Sequence, residues 1–295
     1  MSLIENSLEK LRRAASSSKP AGIAAVREPV AVLREPAAAP QPHYVHRRTS
    51  IDLAGLRADG YLPDASEERR FADWCHRVKR PIIHRALATG STDDARLILL
   101  TSALPGDGKS FVTLNLALSM ARERDISVLL VDGDLPKARI SRLLGIEHEP
   151  GLLNALRDEQ LDVESLVHDT DVSGLEILSA GSPPEGAAEL VASARMREIA
   201  ARLSSRNPRR LIVFDSAPVL VSSEARALVA IPGQIVLVAR AGHTPRQAVV
   251  DALTHIDKGK LRGIVLNDGY VTGDPGYYGY YDYAESTQPR EPRKG

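Results

Sequence analysis

From residue 96 onward, short apolar runs alternate with longer amphipathic stretches, the pattern of a parallel sheet covered by helices. The runs predict strands at 97–101, 127–131, 175–178, 211–214, 234–239 and 263–266. Several are rich in Val, Ile and Leu without apolar–polar alternation, as strands buried on both faces should be. Helices are predicted over 109–122, 187–203, 222–230 and 245–256. The expected fold class is therefore α/β, with a mostly parallel central sheet flanked by helices. Residues 14–66 are rich in Ala, Pro and Ser, and their apolar positions follow neither a period of 2 nor one of 3.6, which predicts a mostly disordered arm. Ahead of it, Ile4, Leu8 and Leu11 share one face of a short helix. After Asn267 the sequence DGYVTGDPGYYGYYDYAES holds too much Gly and Tyr for another packed layer and reads as an exposed tail. The boundaries expected are an arm at 1–66, a main domain at 67–268 and a tail at 269–295.

Composition narrows the classes. A chain of 295 residues, 43% hydrophobic, suffices for one large domain with appendages. Its 38 basic and 38 acidic side chains cancel to a formal charge of +0, so no global field draws it to nucleic acid or anionic lipid, and no nucleic-acid partner is expected. The single cysteine, Cys75, excludes an intramolecular disulfide and any multi-cysteine metal site within one chain. Its apolar runs fall far short of the ~20 residues that span a bilayer. The opening MSLIENSLEKLRR lacks a signal peptide's apolar core, so a cytoplasmic location is expected.

The strand LILLT runs into Ala103-Leu-Pro-Gly-Asp-Gly-Lys-Ser110 and then a helix, the context of a phosphate-binding P-loop. Gly106 and Gly108 let the backbone turn its amides toward phosphate oxygens, and the helix N-terminus adds partial positive charge. Lys109 would reach the β- and γ-phosphates, and the Ser110 hydroxyl would ligate Mg²⁺. Ala103 replaces the usual first glycine. In VLLVDGDL, Asp132 and Asp134 leave the C-terminal end of the next strand, the edge where open parallel sheets bind ligands. Two carboxylates two residues apart on extended backbone share a side, which suits Mg²⁺ or acceptance of a hydroxyl proton. Alone, such a pair is equally a solvated loop; beside a P-loop it reads as a site. In LIVFDSAP, Asp215 ends an apolar strand in the place of a Walker B acid, beside the P-loop strand.

Six of the eight tyrosines, Tyr270, Tyr277, Tyr278, Tyr280, Tyr281 and Tyr283, crowd one stretch of the tail. The intervening Gly, Asp and Pro exclude a core, and the absence of interleaved Arg or Lys excludes a base-stacking platform. A self-association segment and a set of phosphate acceptors remain. The acidic neighbours Asp274, Asp282 and Glu285 imply that successive phosphorylation loosens whatever contact the tail makes.

With these residues in place, the chain resembles the bacterial tyrosine autokinases of exopolysaccharide assembly, most of all the cytoplasmic type associated with exosortase systems. The signals are ALPGDGKS as Walker A, VLLVDGDL as Walker A′, LIVFDSAP as Walker B and the tyrosine cluster GYYGYYDY, with LSAG, AELVAS, GQIVLV and IVLN between them. The resemblance implies a P-loop domain close to the MinD and ParA ATPases and transfer of the ATP γ-phosphoryl group to tyrosine. It implies a nucleotide site at Pro105, Gly106, Asp107, Gly108, Lys109, Ser110, Phe111 and Asn267, with Mg²⁺ held by Ser110, Asp132 and Asp215. Lys109, Asp132, Asp134 and Asp215 become the catalytic set, with Asp134 drawing the proton from a tyrosine whose ordinary pKa is near 10. It further implies a homo-oligomeric ring phosphorylating its neighbours' tails, a membrane-anchored co-polymerase or chain-length protein as activator, and a phosphotyrosine phosphatase.

The sequence departs from that family where a Glu-x-x-Arg-x-x-Arg stretch joins subunits: DWCHRVKRP offers Asp73, His76 and Lys79. Lys lacks the bidentate fork of Arg, and His charges only on acidification. Two readings share the fold. A ParA- or MinD-like ATPase would carry a second lysine early in the P-loop, where this chain has Leu104. A nucleotide-binding scaffold without turnover is the other.

Overall fold

The computed structural model describes residues 47–182 and 186–268. The chain divides into two units, Met1–His43 and Tyr44–Gly295, and every described residue belongs to the second. The short helix expected around Ile4, Leu8 and Leu11, the arm up to residue 46 and the tyrosine tail lie outside the described residues.

The chain opens with β1 (Arg47–Thr49), α1 (Leu53–Ala58) and α2 (Glu68–Leu87). The core continues through β2 (Leu97–Ser102), α3 (Lys109–Ala121), β3 (Ser127–Gly133), α4 (Arg139–Leu143), α5 (Leu152–Arg157), β4 (His168–Thr170) and β5 (Leu175–Leu178). It closes with α6 (Ala187–Ala192), α7 (Ala194–Ser205), β6 (Arg210–Ser216), α8 (Ser223–Leu228), β7 (Gln234–Arg240), α9 (Arg246–Thr254) and β8 (Leu261–Asn267). The eight strands form one sheet in the order β1-β4-β5-β3-β6-β2-β7-β8. Only β4 and β5 run antiparallel; the other neighbours are parallel.

Period-2 geometry sends alternate side chains of each strand to opposite faces. Leu99, Val131, Phe214 and Leu237 pack on one face with Leu153 of α5, Ile199 and Leu203 of α7 and Ala252 of α9. Ile98, Leu130, Val213 and Val238 pack on the other with Ile82 of α2 and Leu114 and Met120 of α3. Both sets are buried, which explains the unbroken apolar runs, and each large side chain fully buried contributes about 1.5–3 kcal/mol.

Two expectations are corrected and one helix is added. The ordered domain starts well before residue 67: Ile51, Leu56 and Leu62 are buried against the α2–α3 face, and the Asp52 side chain caps α1 by accepting from the Gly55 amide. Helix α2 was not anticipated as an element; Cys75, Lys79, Ile82 and Ala86 are its buried stripe, spaced by four, three and four residues. The helix expected over 187–203 is two helices, because Ser193 is extended (ψ 167°) and its hydroxyl donates to the Leu190 carbonyl.

Among the described residues, no helix is long and apolar enough to cross a membrane.

Candidate functional site

The P-loop connects the end of β2 to the first turn of α3, and its shape depends on two glycines in the left-handed region. Gly106 has φ 90° and Gly108 has φ 86°, conformations that a side chain makes costly. A Cβ on Gly108 would also collide with the Asn267 side-chain amide. Among the described residues, the amides of Gly106, Asp107, Gly108, Lys109 and Ser110 donate to no backbone or side-chain acceptor. A helix start leaves some amides free in any protein, but here the loop ahead of it adds more, all in one turn. That row of donors at the positive end of α3 is a cradle for an anion.

Parallel pairing brings the acids to the same edge. Leu100 of β2 lies beside Asp215 of β6, and Asp215 lies beside Asp132 of β3. Asp132, Asp134 and Asp215 are all buried. Their environments differ. Asp215 accepts from the Ser110 hydroxyl at 2.6 Å and lies 3.0 Å from the Thr113 hydroxyl. Asp134 pairs with the Lys109 ammonium at 2.8 Å through Oδ2, while its buried Oδ1 has no hydrogen-bond partner. Asp132 accepts from the Ser141 amide and hydroxyl, both at 2.7 Å, and from the Asp134 amide at 3.2 Å.

Burial pushes the Asp132 carboxyl up to about 7, helped by the neighbouring Asp215 charge and opposed by Ser141. Burial also raises Asp215, against the pull of Lys109 and Ser110. At Lys109 burial works against the charge, but Asp215 and Asp134 outweigh it and hold the ammonium protonated above its ordinary value.

Part of the expected set comes together in space. Lys109, Ser110, Asp132, Asp134 and Asp215 meet at one edge. The Asp107 side chain faces into the loop, accepting from the Leu104 amide at 2.9 Å and the Thr244 hydroxyl at 2.6 Å, so it shapes the cradle and leaves only its amide to an anion. Asn267 lies over the loop, its amide donating to the Asp107 carbonyl at 3.1 Å. Pro105 is exposed at the loop's tip. Phe111 packs away from the loop, edge-on to Phe71 at 5.5 Å. Thr113, Ser141 and Thr244 were not anticipated. Thr113 carries a weak signal, a polar residue one helical turn after Ser110; the other two carry none.

Lys79, one of the departures from the family's subunit-joining stretch, is buried, donating to the Ser119 carbonyl at 2.8 Å and pairing with Glu123 at 2.7 Å. Asp73 and His76 of the same stretch are exposed. Burial pushes the Cys75 thiol up to about 11, which keeps it an unreactive core group.

Among the described residues, no group of three His, Cys, Asp or Glu side chains forms a metal centre on its own. The donor set suits a P-loop Mg²⁺ nonetheless, since such an ion takes one hydroxyl, one acid, waters and phosphate oxygens. Ser110 and Asp215 would supply the hydroxyl and the acid.

No family model matches the chain. It is 31% identical over 185 residues to the tyrosine-protein kinase YwqD of Bacillus subtilis strain 168, covering 61% of this chain and 76% of YwqD. It is 29% identical over 194 residues to the tyrosine-protein kinase ptk of Acinetobacter johnsonii, covering 65% of this chain and 26% of ptk. The chain therefore spans about a quarter of the length of ptk, and the same holds for EpsB of Ralstonia solanacearum, covered over 22%. Among solved structures, the VpsO kinase domain shares 30% identity at a TM-score of 0.58, with 70% of this chain and 100% of that one covered. The kinase domain of the Escherichia coli tyrosine kinase ETK has the same fold, with a TM-score of 0.57 at 24% identity over 69% of this chain and 80% of its own.

Proposed function

Because the chain belongs to the bacterial tyrosine-kinase family, we propose that it transfers the γ-phosphoryl group of ATP to the tyrosine cluster 270–283 of a neighbouring copy. The observation that carries this reading is the open row of amides from Gly106 to Ser110, flanked by Lys109 on Asp134 and Ser110 on Asp215. A cradle for phosphates, a cation and a carboxylate with a free lone pair are the parts that phosphoryl transfer needs, since its catalysis is chiefly positioning and charge neutralisation.

In this reading the amides and Lys109 orient the nucleotide's phosphates. Ser110 and Asp215 hold Mg²⁺, which when bound neutralises phosphate charge. Asp134 Oδ1, partnerless and buried, accepts the proton of the incoming phenol. The phenol oxygen forms its bond to phosphorus as the bridging bond breaks, and ADP leaves with that electron pair. Asp132 acts one step back: by holding the start of α4 through Ser141, it fixes the turn that carries Asp134.

The biological setting proposed is regulation of exopolysaccharide polymerisation and export. The chain would act as a homo-oligomer at the cytoplasmic face of a membrane, recruited and activated by a membrane-anchored co-polymerase and reset by a phosphotyrosine phosphatase. The inward turn of Lys79 removes one residue of the stretch that joins subunits in the family, so assembly here would rest on Asp73, His76 and other surfaces.

The test is intact-mass and phosphopeptide analysis of phosphatase-treated wild type and Lys109→Met after incubation with Mg-ATP and the activator. Stepwise phosphate on Tyr270 to Tyr283 in wild type, reduced about 10³-fold in the variant, supports the kinase. ATP hydrolysis with no phosphotyrosine would replace it with an ATPase.

A further inference from the structure

The turn after β3 carries charge that the phosphate site leaves unused. Lys137, Arg139 and Arg142 are exposed and, with Leu143, line one open depression of about 260 Å³. Among the described residues, none of the three is paired with a carboxylate. Arg139 has one polar contact, donating from Nη1 to the Tyr61 hydroxyl at 2.9 Å.

The backbone holds this cluster beside the acids. The Asp134 carbonyl accepts from the amides of both Lys137 and Ala138, closing a tight turn directly after the site. Ala138 sits in the left-handed region at φ 45°, an unfavourable place for a residue with a Cβ, and from it α4 presents Arg139 and Arg142 to the same side as Lys137. Arg139 is close enough to Lys109 for its charge to oppose protonation there. No P-loop residue lines the depression, so its cations lie outside the nucleotide cradle.

Three unmatched cations at the mouth of a site call for an anion. The sequence offers one of fitting chemistry: residues 269–289 contain Asp274, Asp282 and Glu285 and no Lys or Arg. Each tyrosine phosphate would add about −1.5 to −2 further charges. We propose that Lys137, Arg139 and Arg142 form a subsite that receives the acidic tyrosine segment of a second copy and holds it more tightly once phosphorylated. This rests on the kinase reading for the identity of the segment. It also reverses the loosening expected of the segment alone, because the depression supplies the counter-charge that the segment lacks. Each transferred phosphate then favours the next encounter of the same segment, so modification proceeds in runs along one tail.

The test uses the full chain and two fluorescent peptides of residues 269–289, one unmodified and one phosphorylated at Tyr281, with binding followed by fluorescence anisotropy at low and high salt. Wild type should bind the phosphopeptide about tenfold more tightly than the unmodified one, and high salt should erase the difference. The double variant Lys137→Gln/Arg142→Gln, which keeps the Arg139–Tyr61 contact, should lose that preference while Mg-ATP affinity stays within about twofold. Unchanged phosphopeptide binding in the variant would overturn the subsite, and an equal loss of Mg-ATP affinity would assign the cations to the nucleotide instead. The readout separates this inference from the kinase reading. Charge-dependent binding without phosphate incorporation defeats the kinase and leaves the subsite; incorporation with charge-independent binding does the reverse.

Discussion

At the N-terminal end of β6, Arg210 is buried with its guanidinium 2.8 Å from Glu164 and 2.9 Å from Glu176, and Arg206 closes on Glu164 at 2.7 Å. At the C-terminal end of the same strand, Asp215 meets Asp132 and Asp134, and Lys109 is the one cation paired with the three among the described residues. Two arginines face two glutamates at the first end; three carboxylates face one ammonium at the second. Buried charge can be held only when matched. The first end is matched in charge, although among the described residues the buried Arg210 Nη2 has no hydrogen-bond partner, whereas the other is matched in part by a raised Asp132 that shares its site with a proton and in part by hydroxyls. Its deficit of positive charge suits a ligand that arrives with a cation.

The largest effect expected is at the matched end. Arg210→Met would leave buried Glu164 to Arg206 alone and take the Arg210 partner from half-buried Glu176, at a cost of up to about 3–5 kcal/mol in urea unfolding. A cost below about 1 kcal/mol would show that the network is not balanced by charge.

At the other end, removing charge should help. Asp132 has a folded-state value of about 7 against the ordinary 3.8. Between those values the folded chain keeps a proton that the unfolded chain releases, so stability falls as pH rises through that window. Asp132→Asn, which retains an acceptor for Ser141 but turns its NH2 toward the Asp134 amide, should flatten this slope, so that its stability relative to wild type rises by a few kcal/mol between about pH 3 and pH 8 in paired urea titrations. Parallel pH profiles for variant and wild type would contradict the assignment.

The smallest effect separates two costs at the cradle. Gly108→Ala meets both the left-handed backbone and the Asn267 amide, for about 2 kcal/mol together. Adding Asn267→Ala should recover the collision and leave about 1 kcal/mol of backbone strain. If the second substitution recovers nothing, Asn267 does not close on the loop in solution.

The comparison also shows what the sequence could reveal. Strands β2, β3, β6 and β7 are long, apolar on both faces and legible as runs, and the acids at their ends inherit that legibility. Strands β1 and β4 are three residues each, RRT and HDT, too short and too polar for a pattern to register. Helix α2 hides its buried stripe among charged residues, and one stripe position is Lys79, whose ammonium is satisfied only by Ser119 and Glu123 from elsewhere in the fold. The same holds for the partners of the acids. Ser141 reaches Asp132 across nine residues, and Thr244 reaches Asp107 across 137, so spacing in the chain gives no hint of either. Motif residues are readable because their roles depend on local backbone; their supports are chosen by packing.

Asn267 ends β8 with its amide on the Asp107 carbonyl, so the tail is rooted on the rim of its own phosphate loop. A chain extends at most about 3.3–3.6 Å per residue, so Tyr270 stays within about 10 Å of that root and Tyr283 within about 60 Å. If the proposed transfer to a neighbouring copy holds, the distance to that copy's cradle would set which tyrosines can arrive there, and lengthening or trimming the Gly-rich spacer would shift the pattern of modified positions as a ruler shifts its marks.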